Sequence, residues 1–170
     1  MTIWTCKGPL AAVGVMLLTA CEGGQGLGAS SGAAKPPLSR AKMAGGVELV
    51  APDGFCIDQT SLEARFAVIA RCDGLGAPAS AGAAPRGLIT VSLTQSKPGS
   101  LPSAQQIAAE TSLQNVSDVE KGDQSVTFRA QGRIPVGGLS PNQWRGVARM
   151  GTQTAGIAVY GPERGEIVSA

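Results

Sequence analysis

The sequence contains no histidine among its 170 residues, and this absence excludes a large part of enzyme chemistry. Without an imidazole the chain cannot build a Ser-His-Asp triad, a Cys-His pair or a histidine metal site. Aromatic residues are also scarce, at 4% of the chain, so the core has few large apolar side chains. A domain with such a modest core gains stability from a covalent cross-link.

Charged residues are few as well, and they are not clustered. They make up 15% of the chain, the net charge is +2, and no run of Lys or Arg is present. Nucleic acid is therefore not an expected partner, because such binding needs a basic patch along the phosphate backbone. The chain has no strict Gly-x-Gly-x-x-Gly motif and no phosphate-binding loop, and we expect no cofactor.

The N-terminal twenty residues are typical of an export signal. Lys7 supplies positive charge to a short head, and 10–20 is an uncharged apolar run. Eleven helical residues span only about 16 Å, which is too short for a hydrocarbon core of about 30 Å. We therefore predict a signal peptide over 1–20 rather than a membrane-spanning or retained buried helix.

The signal ends in Leu18-Thr19-Ala20-Cys21, which resembles the lipobox of bacterial lipoproteins. The resemblance implies that Cys21 receives a diacylglyceryl group, that cleavage frees its amine, and that the amine is acylated, typically with palmitate. Two or three acyl chains anchor a protein stably to a membrane where one does not. The alternative is an ordinary signal peptide cleaved at an Ala-x-Ala-like site, with Cys21 present by chance.

A stretch of Gly, Ala, Ser and Pro follows Cys21 and extends to residue 46. Such a composition predicts a flexible tether, and 25 coil residues span about 25–30 Å. Glu22 stands where an Asp often marks inner-membrane retention, so we expect the outer membrane, with the body facing the periplasm. The membrane, through the lipid on Cys21, and an envelope protein are the expected partners.

The cysteines predict one disulfide. Cys6 is lost with the signal and Cys21 is blocked by lipid, which leaves Cys56 and Cys72. Two cysteines of one domain in an oxidising compartment are expected to pair, and closing this loop is worth roughly 3 kcal/mol. The alternative is a metal site, for which two cysteines without histidine are a poor ligand set.

We place one globular domain at 47–170. Apolar runs, alternation and turn signals predict its strands, at 47–51, 66–71, 88–94, 115–120, 124–131 and 156–160, with a weaker strand at 165–169. Helices are predicted to begin at two capping boxes, Ser103-Ala104-Gln105-Gln106 and Ser140-Pro141-Asn142-Gln143. The expected class is α+β, a small antiparallel sheet covered by one or two short helices, with one disulfide.

Three motifs in the body resemble those of a set of small exported alphaproteobacterial proteins. They are Ala51-Pro52-Asp53-Gly54-Phe55-Cys56-Ile57-Asp58, Val68-Ile69-Ala70-Arg71-Cys72 and Pro141-Asn142-Gln143-Trp144-Arg145. The resemblance covers most of 47–160. It implies membership of that set and a paired cysteine, and it implies no activity.

Two neighbouring residues are the candidate binding residues. Trp144 on an exposed helix would be an anchor for a partner, although in a protein with few aromatics it more often belongs to the core. Arg145 and Arg149 would be neighbours on that helix and could hold an anion, although a solvated helix face is the commoner outcome.

The carboxylates near the two cysteines support a second hypothesis. Asp53, Asp58 and Asp73 could form an acid–base pair or a calcium site, whereas Asp beside Gly or before a short helix usually caps a turn. We therefore favour a non-catalytic lipoprotein that binds a partner or supports an envelope assembly. The alternatives are an envelope glycan hydrolase that uses Asp and Glu, and a body that binds a small ligand in an apolar pocket.

Overall fold

The computed structural model of the protein describes residues 35–78, 84–165 and 167, which all belong to the unit that spans 34–170. The expected signal peptide, Cys21 and the tether as far as residue 34 lie outside the described residues, as does most of the weak strand expected at 165–169. In the described part of the chain, no helix has the length and hydrophobicity needed to cross a bilayer.

The described chain consists mainly of β-strands. Two short strands form a hairpin, β1 (Arg40–Lys42) and β2 (Glu48–Val50). Seven strands form the main sheet, namely β3 (Phe55–Ile57), β4 (Phe66–Arg71), β5 (Leu88–Gln95), β6 (Gln114–Lys121), β7 (Ser125–Gln131), β8 (Asn142–Met150) and β9 (Gln153–Tyr160). The α-helix α1 (Ala104–Glu110) lies between β5 and β6.

The seven strands are ordered β3-β4-β5-β9-β8-β7-β6, and every neighbouring pair is antiparallel. The sheet is thus made of two meanders, one of β3 to β5 and one of β6 to β9. They join where β5 pairs with β9 over eight residues, from Leu88 opposite Tyr160 to Gln95 opposite Gln153. The chain therefore crosses from the middle of the sheet to its far edge between β5 and β6, and this crossing carries α1.

Two apolar cores lie on opposite faces of the sheet. Phe128 is opposite Arg145, and Arg145 is opposite Ala158, so these three share a face, which we call the helix face because α1 packs on it. Ala155 is three residues from Ala158 along β9 and lies on the other face. We call that the hairpin face, because the β1–β2 hairpin packs there.

Each core occupies only part of its face. Under α1, the buried side chains of the helix and of β7 pack together, namely Ala104, Ala108, Val126, Phe128 and Ala130. Under the hairpin, Ala41 and Met43 cover buried side chains of the other half of the sheet, among them Ile57, Ala67, Ile69, Val91, Leu93 and Ala155. The helix face is consequently open beyond α1, where β5 and β9 lie.

The structure corrects the expected α+β class, because the fold is mostly β. The helix predicted to begin at Ser140 and to carry Trp144 is strand β8 instead. The Ser140 hydroxyl does accept a backbone hydrogen bond, from the Asn142 N–H at 3.1 Å, but this closes a turn before the strand. From Asn142 onward the backbone pairs with β7 on one side and β9 on the other, and these two ladders outweigh the local helix signal.

Other local predictions are confirmed. Ser103 caps α1 with both bonds of a capping box: it accepts from the Gln106 N–H at 3.2 Å, and its own N–H donates to the Gln106 side chain at 2.8 Å. Cys56 of β3 and Cys72, directly after β4, form the expected disulfide. Folded structure begins before the expected boundary at Val47, since β1 starts at Arg40.

Candidate functional site: a groove beside the helix

The two candidate binding residues do not come together. Trp144 and Arg145 are successive residues of β8, so their side chains point to opposite faces of the sheet. Arg145 lies on the helix face and Trp144 on the hairpin face. Each therefore belongs to a different surface, and the two surfaces must be judged separately.

A groove runs along the open part of the helix face, between α1 and β5. At one end it forms a cavity of about 180 Å³ whose walls include Thr90, Ser92 and Ile107, with Arg145 at its side. Its floor contains Gly156 and Ala158 of β9, two residues too small to fill the space. A second cavity, of about 510 Å³, follows along the same two elements, where Thr94 continues β5 and Gln106 continues α1.

Arg145 is the chemically distinctive residue of this groove. Its guanidinium lies 5.5 Å from the centroid of the Tyr160 ring, and its Nη2 donates to the Tyr160 hydroxyl at 3.2 Å. Its Nε is buried without a hydrogen-bond partner. Within the described part of the chain, no carboxylate lies within 4.0 Å of it. A half-buried guanidinium oriented by a neighbour and lacking a counter-ion is suited to bind an oxyanion.

Arg149 stands on the same face but has another role. Its Nη2 donates to the carbonyl oxygens of Gly99, at 2.6 Å, and Lys97, at 3.4 Å, and so fixes the loop between β5 and α1. Four residues along a strand correspond to about 13 Å, and the Arg149 guanidinium is bound to this loop, so Arg145 and Arg149 do not converge on one small anion. The arrangement predicted for a helix, with these two side chains adjacent, is therefore wrong.

A cavity of about 410 Å³ lies near Trp144 on the hairpin face, but polar side chains at its walls are engaged with one another. The Arg129 guanidinium lies 5.6 Å from the Trp144 ring centroid and 3.6 Å from Asp118. Beside them the Asn115 amide donates to Gln131 at 2.7 Å, and Gln131 donates to Asn142 at 2.9 Å. Half-buried Trp144 is thus covered by a cation, and the amides satisfy one another, which makes this surface the weaker candidate.

The carboxylates near the disulfide are engaged locally. Asp58 accepts from the Thr60 N–H at 2.9 Å and from the Thr60 hydroxyl. Burial raises the pKa of Asp58, but the hydrogen bonds from Thr60 and Ser61 outweigh it, and the net pKa is lowered. Asp73 binds the Arg71 guanidinium and the Gly74 N–H, and the bond from Arg71 lowers its pKa. Both Asp residues therefore stabilise turns as ionised groups.

Asp53, the third acidic candidate, and the exposed glutamates add no metal site. Asp53, Glu63 and Glu110 are exposed. Among the described residues, no three His, Cys, Asp or Glu side chains group in a way that could hold a metal ion.

Sequence reasoning missed Tyr160 and the small floor residues of the groove. A strand over 156–160 was expected, but not that β9 would lie at the centre of the sheet, beside both β5 and β8. The available signal was the alternation of Gly156, Ala158 and Tyr160, which puts all three on one face. No family model, no curated protein and no solved structure matches this chain.

Proposed function

We propose that the protein is an envelope lipoprotein, anchored by lipid on Cys21, whose body is a non-catalytic binding module. The lipobox-like Leu18-Thr19-Ala20-Cys21 supports the anchor. The Cys56–Cys72 disulfide is consistent with an exported body, since such bonds persist in oxidising compartments. We place the body at the outer membrane, facing the periplasm, and in the set of small exported proteins whose motifs it resembles.

The observation that carries the binding role is Arg145. A guanidinium without a counter-ion among the described residues, at the side of a groove with a glycine and alanine floor, is suited to an anionic partner. The occupant we propose is an envelope component that presents a negatively charged group to this end of the groove.

A glycan hydrolase is the competing function, and the carboxylates weigh against it. Hydrolysis of a glycosidic bond needs two carboxyl groups about 5–10 Å apart, one of which has a raised pKa and acts as the acid. Asp58 and Asp73 have lowered pKa values and bind Thr60 and Arg71 instead. A glycan-release assay with wild type and Asp58→Asn tests this alternative, and release that depends on Asp58 would support it.

Photo-crosslinking in cells tests the binding role. A photoreactive residue at Thr111, exposed at the groove wall, should give a discrete crosslinked species, whereas one at exposed Lys121 of the edge strand should not. Gly156→Val should abolish the crosslinked species, because the added side chain enters the groove. Even a Cβ added at this position would lie only 3.0 Å from the Ser92 hydroxyl. Equal crosslinking at both positions, or none, would contradict the proposal.

Gly146→Val is the matched control for this experiment. The backbone of Gly146, in the neighbouring strand, borders the cavity, but a Cβ added to it would lie against Thr127 and Ile157 on the opposite face, at ordinary contact distances of 3.5 Å and 3.9 Å. The same substitution should therefore leave the crosslinked species intact. Its loss in both variants would show that general damage to the sheet, rather than the groove, is responsible.

A further inference from the structure

We infer that the Arg145 end of the groove binds a single carboxylate group at the terminus of a short neutral chain. This inference rests on the proposed role of the groove as a binding site and names the chemistry of its occupant.

The charge of the site fits one monoanion. Arg145 is the only charged side chain among the described residues that line this cavity, and Arg149 is about 13 Å away along the strand. A carboxylate brings one negative charge and balances one guanidinium. A dianionic phosphate group would be left with uncompensated charge in a half-enclosed site, which is costly.

The geometry of Arg145 fits a planar acceptor. Stacking on the Tyr160 ring and the bond from Nη2 to its hydroxyl fix the plane of the guanidinium. Among the described residues Tyr160 is the only hydrogen-bond partner of the guanidinium, through Nη2, so the N–H groups of Nη1 and the second one of Nη2 remain for a ligand, while Nε is buried. Two parallel bonds from a guanidinium to a carboxylate are the strongest arrangement available to such a pair.

The size and lining of the cavity fit a small neutral group next to the carboxylate. Its volume of about 180 Å³ is below the range of about 300–1,000 Å³ typical of pockets that enclose a whole drug-sized ligand. Gly156 and Ala158 leave space on the floor, Ile107 gives an apolar wall, and the hydroxyls of Thr90 and Ser92 give a neutral polar one. The end of a chain, with its carboxylate and the small neutral group next to it, fits a cavity of this size and lining.

The rest of the chain has room in the second cavity. This cavity of about 510 Å³ follows the first along β5 and α1, and Leu101 and Pro102 are among its lining residues. A chain whose carboxylate meets Arg145 would therefore extend toward the loop that Arg149 fixes.

Amide NMR titrations of the full chain in detergent micelles test the inference. The probes are acetyl-Ala-Ala with a free carboxylate, the same dipeptide as its C-terminal amide, and methyl phosphate. The free acid should shift the amides of Thr90, Gly156 and Ala158 with a Kd on the order of 1 mM, while the other two bind at least about tenfold more weakly. Equal shifts with acid and amide, or tighter binding of methyl phosphate, would overturn the inference.

Variants localise the binding. Arg145→Gln should weaken binding of the free acid at least about tenfold, and Arg145→Lys should weaken it less. Gly156→Val should abolish binding. Exposed Arg133→Gln should leave the Kd unchanged. A Kd unaffected by Arg145→Gln would overturn the assignment even if the acid binds.

The failure of this inference is distinguishable from that of the proposed function. If the dipeptide acid does not bind but crosslinking at Thr111 is still lost in Gly156→Val, the groove binds a partner of other chemistry. Only the assignment of a carboxylate ligand is then refuted. If crosslinking is absent while the acid binds at Arg145, the carboxylate site stands and the role in binding an envelope partner is refuted.

Discussion

At the scale of single residues, two charged side chains have different roles: Arg145 lies beside the groove, and Asp58 caps a turn. The guanidinium of Arg145 is held by the ring and the hydroxyl of Tyr160. Its partner Tyr160 is fifteen residues away, and no local pattern connects the two. The sequence is compatible with a catalytic or a capping role for Asp58, and its bonds to Thr60 identify it as a capping residue.

Asp58 gives the fold a predictable dependence on pH. Its pKa in the folded chain is below the ordinary 3.8, so the ionised carboxylate stabilises the fold above about pH 4, and this stability is lost as the pH falls through the folded pKa. Asp58→Asn should lower the urea midpoint at pH 7 and should flatten its decline on acidification. Some decrease of the urea midpoint at acid pH should remain in this variant, because the pKa of Asp73 is also lowered.

The matched control for this measurement is exposed Glu63→Gln, which has no comparable hydrogen bonds in the structure. Its urea midpoints should follow those of wild type from neutral to acid pH. If the urea midpoint of Asp58→Asn falls on acidification as steeply as that of wild type, Asp58 does not stabilise the fold through its charge.

At the scale of elements, the two capping boxes show what local signals can and cannot predict. The box at Ser103 is followed by Ala104, Ile107 and Ala108, whose spacing puts all three on one side of a helix that packs on β7. The box at Ser140 is followed by Gly146 and by the β-branched Val147, and the segment lies between two strands. Pairing with distant strands decides the secondary structure of such a segment. A capping motif carries no information about that pairing.

The Ser103 cap should contribute measurably to stability. Ser103→Ala removes the acceptor for the Gln106 N–H and should cost about 1 kcal/mol in the free energy of unfolding. Urea denaturation measures the loss, and amide exchange over 104–110 should accelerate. Ser100→Ala, in the preceding exposed loop, is the control and should change little; equal effects of the two substitutions would refute the capping role.

At the scale of the whole molecule, the sequence predicted most strands and the disulfide, but not the sheet that they form. The strands expected at 115–120 and 124–131 are confirmed and form an antiparallel pair, in which Val126, Phe128 and Ala130 are buried. The central pairing of β5 with β9 joins residues about sixty positions apart, such as Ser92 and Gly156. No local periodicity encodes that contact, and the groove exists only because of it.

The disulfide should stabilise the end of the sheet where β3 is only three residues long. It closes a loop of sequence separation 16, for which chain entropy gives about 3 kcal/mol. The Cys56→Ser/Cys72→Ser variant should lose stability by up to this amount, measured by urea denaturation against wild type with and without reductant. Mass spectrometry should find two additional thiol alkylations only after reduction, and their presence beforehand would contradict the bond.

The central claim is that lipid on Cys21 holds this binding module at the envelope, and metabolic labelling with radioactive palmitate tests it most directly. Wild type and the Cys56→Ser/Cys72→Ser variant should both incorporate the label, because neither change affects the lipobox. Cys21→Ala should incorporate none and should leave the membrane fraction. Equal incorporation into wild type and Cys21→Ala would contradict the account.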